Sequence, residues 1–267
     1  EPGSKHREEL LKELERQSNR QVEIPVIIHG KEYFTGNTIE CVKPHNHNHI
    51  LGQSHQAGEK EIKMTIESSL EAWKSWSTTS IDYRASIFRK VADLIQGPYR
   101  YTINAAAMLD IGKSIFQAEI DASCELIDFL NFNIEYAYKM HGMFQPFSPE
   151  GMHNSLEFRP LEGFVFAIAP LNFFSIGGNL AAAPALLGNT AIWKPASSAI
   201  YSSYYIMKLY KEAGLPDGVI NFLPGSGSAI GNEVLNHKNL AGIHFTGSTE
   251  TFRTIWKTVS NNIENYK

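Results

Sequence analysis

The sequence predicts an α/β fold: an open, mostly parallel sheet with helices on both faces, preceded by short strands and a helical layer. Three observations carry this expectation. From Gly163 onward, apolar runs alternate with helix-patterned stretches, the arrangement of βαβ units. The runs are continuously apolar, as strands covered on both faces require. The 267 residues, 43% hydrophobic and 19% charged, suffice for one large or two modest domains with a substantial core.

The elements follow in order. Leu10, Leu11 and Leu14 give an opening helix one apolar edge, and residues 22–28, 33–35 and 39–42 read as short strands divided by Gly30 and Gly36. Ile62, Ile66, Leu70 and Trp73 keep helical spacing, as do Phe88, Val91, Ala92 and Ile95. A third long helix is expected over 113–139, with Ile120, Cys124, Ile127 and Ile134 on one face, which makes Cys124 a buried, inert thiol. The strands of the second part are expected at 164–169, 190–194, 219–223 and 241–245. Helices are expected at 176–187, 202–213, 229–236 and 251–260.

Composition excludes several function classes. A balance of 24 Lys+Arg against 28 Asp+Glu gives a net charge of −4, with no general attraction to nucleic acid or anionic lipid. The most apolar stretch, 163–187, is interrupted by Pro170, Asn172 and glycines, short of the roughly 20 uninterrupted residues of a membrane span. Residues 1–20 are charged and helical in pattern, unlike a signal peptide. Cys41 and Cys124 are too few for a disulfide framework, which favours a reducing compartment.

In a parallel sheet, ligands bind beyond the carboxyl ends of the strands, so the residues after each run are the candidates. Thr246-Gly247-Ser248-Thr249 joins a strand to a helix: its amides could hold a phosphate, or Ser248 or Thr249 could simply cap the helix. Gly225-Ser-Gly-Ser-Ala-Ile-Gly231 resembles a dinucleotide fingerprint but places three residues, not two, before its last glycine. Lys194 could contact ribose or phosphate, or be a solvated surface lysine. Asn172 could donate to a developing oxyanion, or form a turn. Asp121, Glu125 and Asp128 form an acidic edge, either solvated or facing a cation. His45, His47 and His49 would share one side of a strand, yet no acidic or cysteine ligand accompanies them, so a polar turn is expected and no metal site.

Taken together, Ala167-Ile-Ala-Pro-Leu-Asn-Phe-Phe174, Gly188-Asn-Thr-Ala-Ile-Trp-Lys-Pro195, Glu212-Ala-Gly-Leu-Pro216 and Phe245-Thr-Gly-Ser248 resemble the aldehyde dehydrogenase superfamily, in its order. The resemblance extends almost throughout to its Δ1-pyrroline-5-carboxylate dehydrogenase branch. Supporting segments include Glu1-Pro-Gly-Ser4, Lys43-Pro-His-Asn-His47, Ala118-Glu-Ile-Asp-Ala122 and Arg159-Pro-Leu-Glu-Gly-Phe164. It implies a Rossmann-like NAD-binding domain and, for the complete enzyme, NAD-dependent oxidation of L-glutamate γ-semialdehyde to L-glutamate in proline catabolism.

The resemblance also implies roles. Asn172 matches the oxyanion-stabilising asparagine, Lys194 the lysine on the adenosine ribose, Ala169 a backbone position beside the nicotinamide half, and Gly225 the glycine against adenine. Gly247, Ser248, Thr249, Glu250 and Thr251 match the pyrophosphate loop and helix start, and Glu125 a carboxylate near the substrate's amino group. Ser197 stands where many members carry an acidic residue on the ribose hydroxyls, so NAD preference follows from the branch and is not secured by that residue.

The general-base glutamate and nucleophilic cysteine of the family lie in later segments, so the chain alone is expected to be inactive. Residues 1–57 are expected to form the N-terminal helix and short strands, and 58–267 the helical layer and NAD-binding domain, with 141–159 in an oligomerisation arm and no catalytic domain. Homo-oligomerisation is implied for the complete protein, with a cytoplasmic site if bacterial and mitochondrial if eukaryotic. The alternatives are a nucleotide-binding module or pseudoenzyme ending at Lys267, or another branch of the superfamily.

Overall fold

The structure is a computed structural model that describes residues 2–143 and 145–267; Glu1 of the Glu1–Ser4 segment and Phe144 of the 141–159 segment lie outside the described residues. Helix α1 (Lys5–Ser18) leads into β1 (Val22–Ile24), β2 (Val26–Ile28), β3 (Lys31–Tyr33) and the hairpin of β4 (Thr38–Lys43) and β5 (Asn46–His55). The helical layer follows: α2 (Glu59–Trp76), α3 (Ile81–Gln96), α4 (Arg100–Ile111), α5 (Ile115–Ala118), a π-helical turn over Glu119–Glu125 and α6 (Leu126–Met143). The second part runs β6 (Phe164–Ile168), α7 (Phe174–Leu186), β7 (Thr190–Lys194), α8 (Ile200–Glu212), β8 (Ile220–Phe222), α9 (Gly227–Leu235), β9 (Leu240–Phe245) and α10 (Thr249–Asn261).

The main sheet has six strands in the order β3-β2-β8-β7-β6-β9. Strands β8, β7, β6 and β9 are parallel, and β2 joins β8 antiparallel through Ile27 and Phe222. Numbered by chain order within the parallel set, these four strands run 3-2-1-4, so the order reverses between β6 and β9. Alternate residues feed two cores. Ala167, Ala191 and Trp193 face α3, α7 and α8. Phe164, Phe166 and Ile192 face α2, α9 and α10 through Ile62, Ile230, Val234 and Ile255. Covering both faces explains the continuous apolar runs.

A three-stranded sheet, β1-β5-β4, makes a second small layer. Here the sequence expectation needs correction: His47 and His49 belong to strand β5, not to a polar turn, because ten residues from Asn46 pair with both β1 and β4. Among the described residues no cluster of His, Cys, Asp or Glu could hold a metal ion. His49 Nε2 is instead engaged by the Ser18 carbonyl at 2.7 Å. Helix α4 went unread in the sequence, although Ile103, Ala105, Ala106, Ala107 and Leu109 are all buried on it.

The expected long helix at 113–139 is broken by the π-helical turn. A π turn widens the register, so the face upstream of Leu126 is rotated relative to that of α6. Asp121, Ala122, Ser123, Leu126, Leu130 and Ile134 are buried in consequence, and Cys124 is exposed, contrary to the inert, buried thiol expected from its spacing. Cys41 is the buried one, its thiol pushed up to about 12 by burial. Residues 145–159 hold no strand; Gln145 closes the loop on itself by exchanging two hydrogen bonds of 3.1 Å with the Leu156 backbone. Among the described residues no helix is long and apolar enough to cross a membrane.

One buried carboxyl has a measurable signature. Asp110 at the end of α4 accepts from Ser202 N at 2.8 Å and Ser202 Oγ at 2.7 Å, which ties α4 to the first turn of α8. Burial outweighs these two donors and raises its pKa from 3.8 to about 7. A raised folded-state pKa means that this group's contribution to stability is greatest below pH 3.8 and is lost as pH rises to about 7. Asp110→Asn should therefore gain stability relative to the parent chain at pH 8, and that advantage should be much smaller at pH 5. Paired urea melts at the two pH values check this; an advantage that does not change with pH would count against it.

Candidate functional site

The strand ends beyond the reversal between β6 and β9 open into a cleft of about 1210 Å³. Its walls are the loops after β6, β7 and β9 together with α9 and α10. The loops are pinned to one another by backbone hydrogen bonds: Ala169 N donates to Lys194 O at 3.1 Å, and Thr246 N to Ile168 O at 3.3 Å. Small residues keep the cleft open, with Gly227 and Gly231 on α9 bordering it. Gly247 has a tighter requirement, since a Cβ there would lie 2.6 Å from the Phe245 ring.

Of the residues singled out in the sequence, Ala169, Asn172, Lys194 and Ser197 line this cleft. Gly247, Ser248, Glu250 and Thr251 join them from the start of α10. Gly225 and Thr249 are not among the lining residues. Gly225 is set against the backbone of Ala57, where a Cβ would also press on Ile230 at 2.9 Å. Glu125 lies outside the lining too, but its Oε2 accepts from Ser175 Oγ at 3.1 Å, at the start of α7.

Asn172 is exposed and, among the described residues, its amide makes no side-chain hydrogen bond. Its Nδ2 donors are therefore available to the cleft. Lys194 is not a solvated surface lysine, one of the two alternatives that its position left open: it is 8% exposed, and its Nζ donates to the Pro195 carbonyl at 2.9 Å. Burial lowers its pKa. Ser248 caps α10, its Oγ accepting from Thr251 N at 3.1 Å, and Ser226 caps α9 in the same way with Ala229 N at 3.4 Å. Capping and a place in the cleft wall are thus compatible at Ser248. Both helices begin at the cleft, and their free amides and positive dipole ends favour negative charge there.

The acidic edge resolves into three different environments. Asp128 is exposed, whereas Asp121 is only 3% exposed and faces a cation, the second of the two alternatives for this edge. The Asp121 carboxylate accepts from Phe174 N at 2.9 Å, Ser175 N at 3.0 Å and Ser175 Oγ at 2.7 Å, and Lys113 Nζ stands 3.3 Å away. It therefore fixes the start of α7 immediately after the loop that bears Asn172. Lys113 also lies over the Phe173 ring, 4.5 Å from its centroid, which clamps the same turn. Sequence reasoning missed this anchor because its partners are more than fifty residues away, and no local pattern in 113–125 names them.

A strand-order reversal flanked by two helix starts is where open α/β sheets take their ligands. The profile described as "Aldehyde dehydrogenase family" matches residues 33–267, and the chain belongs to that family. Its relatives narrow the similarity further. It is 43% identical over 263 residues to the mitochondrial Delta-1-pyrroline-5-carboxylate dehydrogenase of Dictyostelium discoideum, covering 98% of this chain and 47% of that protein. It is also 43% identical over 267 residues to the Delta-1-pyrroline-5-carboxylate dehydrogenase of Agaricus bisporus, covering 100% of this chain and 49% of that protein. A crystal structure of the Delta-pyrroline-5-carboxylate dehydrogenase from Mycobacterium tuberculosis bound with NAD superposes with a TM-score of 0.97 at 44% identity, over 100% of this chain and 50% of that one. The chain thus spans about half the length of the curated relatives it matches.

Proposed function

We propose that this chain is the cofactor-binding part of an enzyme that oxidises L-glutamate γ-semialdehyde to L-glutamate with NAD+, in proline catabolism. The observation that carries the reading is the cleft itself: an exposed Asn172 amide and a buried Lys194 ammonium converge on strand ends flanked by two helix starts. The similarity to pyrroline-5-carboxylate dehydrogenases over the whole chain supplies the substrate class.

The residues present fit the dinucleotide. Lys194 keeps donors to spare for ribose hydroxyls, Gly227 and Gly231 leave room beside α9, and the amides at the start of α10 suit a pyrophosphate. When bound, NAD+ accepts the hydride. Overall, the aldehyde, NAD+ and water give the carboxylate, NADH and two protons. Asn172 donates through Nδ2 to the oxygen that becomes negative when a nucleophile adds to the aldehyde carbon. Asp121 and Lys113 hold the turn that presents that amide. Neither Cys41 nor Cys124 is among the residues lining the cleft, so the thiolate nucleophile and the general base are assigned to the remainder of the whole protein.

In this reading residues 1–57 support the cofactor domain of 58–267, and the apolar residues left open at Phe132, Tyr136, Met143 and Phe147 belong to a face covered in a homo-oligomer, the arm being 141–159. The compartment is the mitochondrial matrix in a eukaryote and the cytoplasm in a bacterium.

The whole protein should reduce NAD+ with glutamate semialdehyde and do so far more efficiently than with propanal. Turnover of propanal without turnover of glutamate semialdehyde would defeat the substrate assignment. The 267-residue chain alone should show no turnover with either aldehyde.

A further inference from the structure

Away from the cleft, α1, the start of α4 and α8 enclose a smaller cavity of about 170 Å³ that shares no lining residue with it. On α8, Tyr205, Lys208, Leu209 and Glu212 recur at i, i+3, i+4 and i+7, which sets all of them on one helix face. Arg16 reaches the cavity from the last turn of α1, and Tyr99 and Ile103 from the start of α4. Gln17, itself 1% exposed, ties the helices together: its Nε2 donates to Thr102 O at 2.8 Å, and its Oε1 accepts from Tyr201 Oη at 3.2 Å. The walls are therefore held in place before any ligand arrives.

The charges around this cavity are incompletely paired. Lys208 and Glu212 are one turn apart on α8, yet no ion pair joins them. Tyr99 Oη donates to Glu212 Oε2 at 2.5 Å, while Lys208 Nζ lies 5.4 Å and 5.5 Å from the ring centroids of Tyr204 and Tyr205. Arg16 donates through Nε and Nη2 to the Glu13 carboxylate, at 2.6 Å each, and among the described residues its Nη1 makes no hydrogen bond. The Lys208 ammonium keeps its donors and the Glu212 carboxylate keeps acceptor capacity. Ile103 and Leu209, both buried, add an apolar surface between the charged groups.

This combination disfavours simple ions. A lone anion meets Glu212, and a lone cation meets Arg16 and Lys208. A ligand with a carboxylate and an ammonium on either side of one carbon, and a short apolar side chain, satisfies all of these groups together. The volume agrees, since a cavity of this order holds a benzene-sized molecule and is too small for a nucleotide.

We propose that this cavity is a binding site for a small aliphatic α-amino acid, its carboxylate on Arg16 Nη1 and the Lys208 ammonium, its ammonium on the Glu212 carboxylate, and its side chain against Ile103 and Leu209. The site is separate from the dinucleotide cleft and does not depend on how that cleft is read.

The test is calorimetric titration of the whole protein with L-valine as the probe, alongside 3-methylbutanoate and isobutylamine, which keep its carbon skeleton and lack the ammonium or the carboxylate. L-valine should bind with a Kd of about 1 mM or tighter, and each single-charge analogue at least about tenfold more weakly. K208Q and E212Q, each checked for an unaltered circular dichroism spectrum and NAD+ affinity, should each weaken L-valine by about tenfold or more, the effect of losing one hydrogen bond to a charged group. A single-charge analogue that binds as tightly as L-valine would make the cavity a plain ion site. L-valine binding that either variant leaves unchanged would place the amino acid elsewhere. Either result, or no L-valine binding up to about 10 mM, overturns the inference.

Discussion

Replacing Asp121 with alanine is expected to destabilise the chain by about 3–5 kcal/mol, the loss seen when one partner of a buried ion pair is deleted. The carboxylate is only 3% exposed and accepts three hydrogen bonds, two of them from the backbone amides of Phe174 and Ser175. Those amides belong to the first turn of α7 and have no acceptor within the helix. Removing the carboxylate strands both and leaves Lys113 without its partner at 3.3 Å. Asp121→Asn should be milder, because one amide oxygen can still accept while the charge is lost. Urea unfolding of the two variants measures the difference; an alanine variant within about 1 kcal/mol of the parent would show that the helix start is held by something else.

Replacing Asn172 with alanine should act on catalysis and spare the fold. Its side chain is exposed and makes no hydrogen bond to the described residues, so thermal melting of N172A should match the parent. In the whole protein, kcat should fall by about 10²–10³, the usual effect of losing one oxyanion donor. KM should change far less, because the interaction forms only as charge develops on the substrate oxygen. A kcat within threefold of the parent would reassign Asn172 to turn formation. The two variants are complementary: one acts on the loop's anchor, and the other on the group that the loop presents.

The βαβ half was legible from the residues because its signal is local and repeated. The run 190–194 coincides with β7, and the helices at 176–187 and 202–213 fall within about two residues of α7 and α8. Buried parallel strands announce themselves by composition alone. The N-terminal part was harder. Strand β5 is rich in His, Asn, Gln and Gly, residues that favour turns or lack strand propensity, and only pairing on both sides makes it a strand. Cys124 was misplaced because a π-helical turn changes the phase of a helix without any marker in the spacing of its apolar residues. At the site, the residue types after the strands were readable. The burial of Lys194 and the anchoring by Asp121 were not, since both depend on contacts between segments far apart in the chain.

The antiparallel pairing of Ile27 with Phe222 also bears on how the chain is made. Strand β2 is made before β8, the strand it lies against, which is nearly two hundred residues further on. Closing so large a loop is entropically slow, and the main sheet cannot be completed until β8 has left the ribosome. Until then β2 is paired on one edge only, by β3, and its other edge, with Val26, Ile27 and Ile28 that are buried in the finished protein, is open to intermolecular pairing. A chain truncated before residue 220 would carry β2 with one sheet edge exposed, because β8 is its partner on that side.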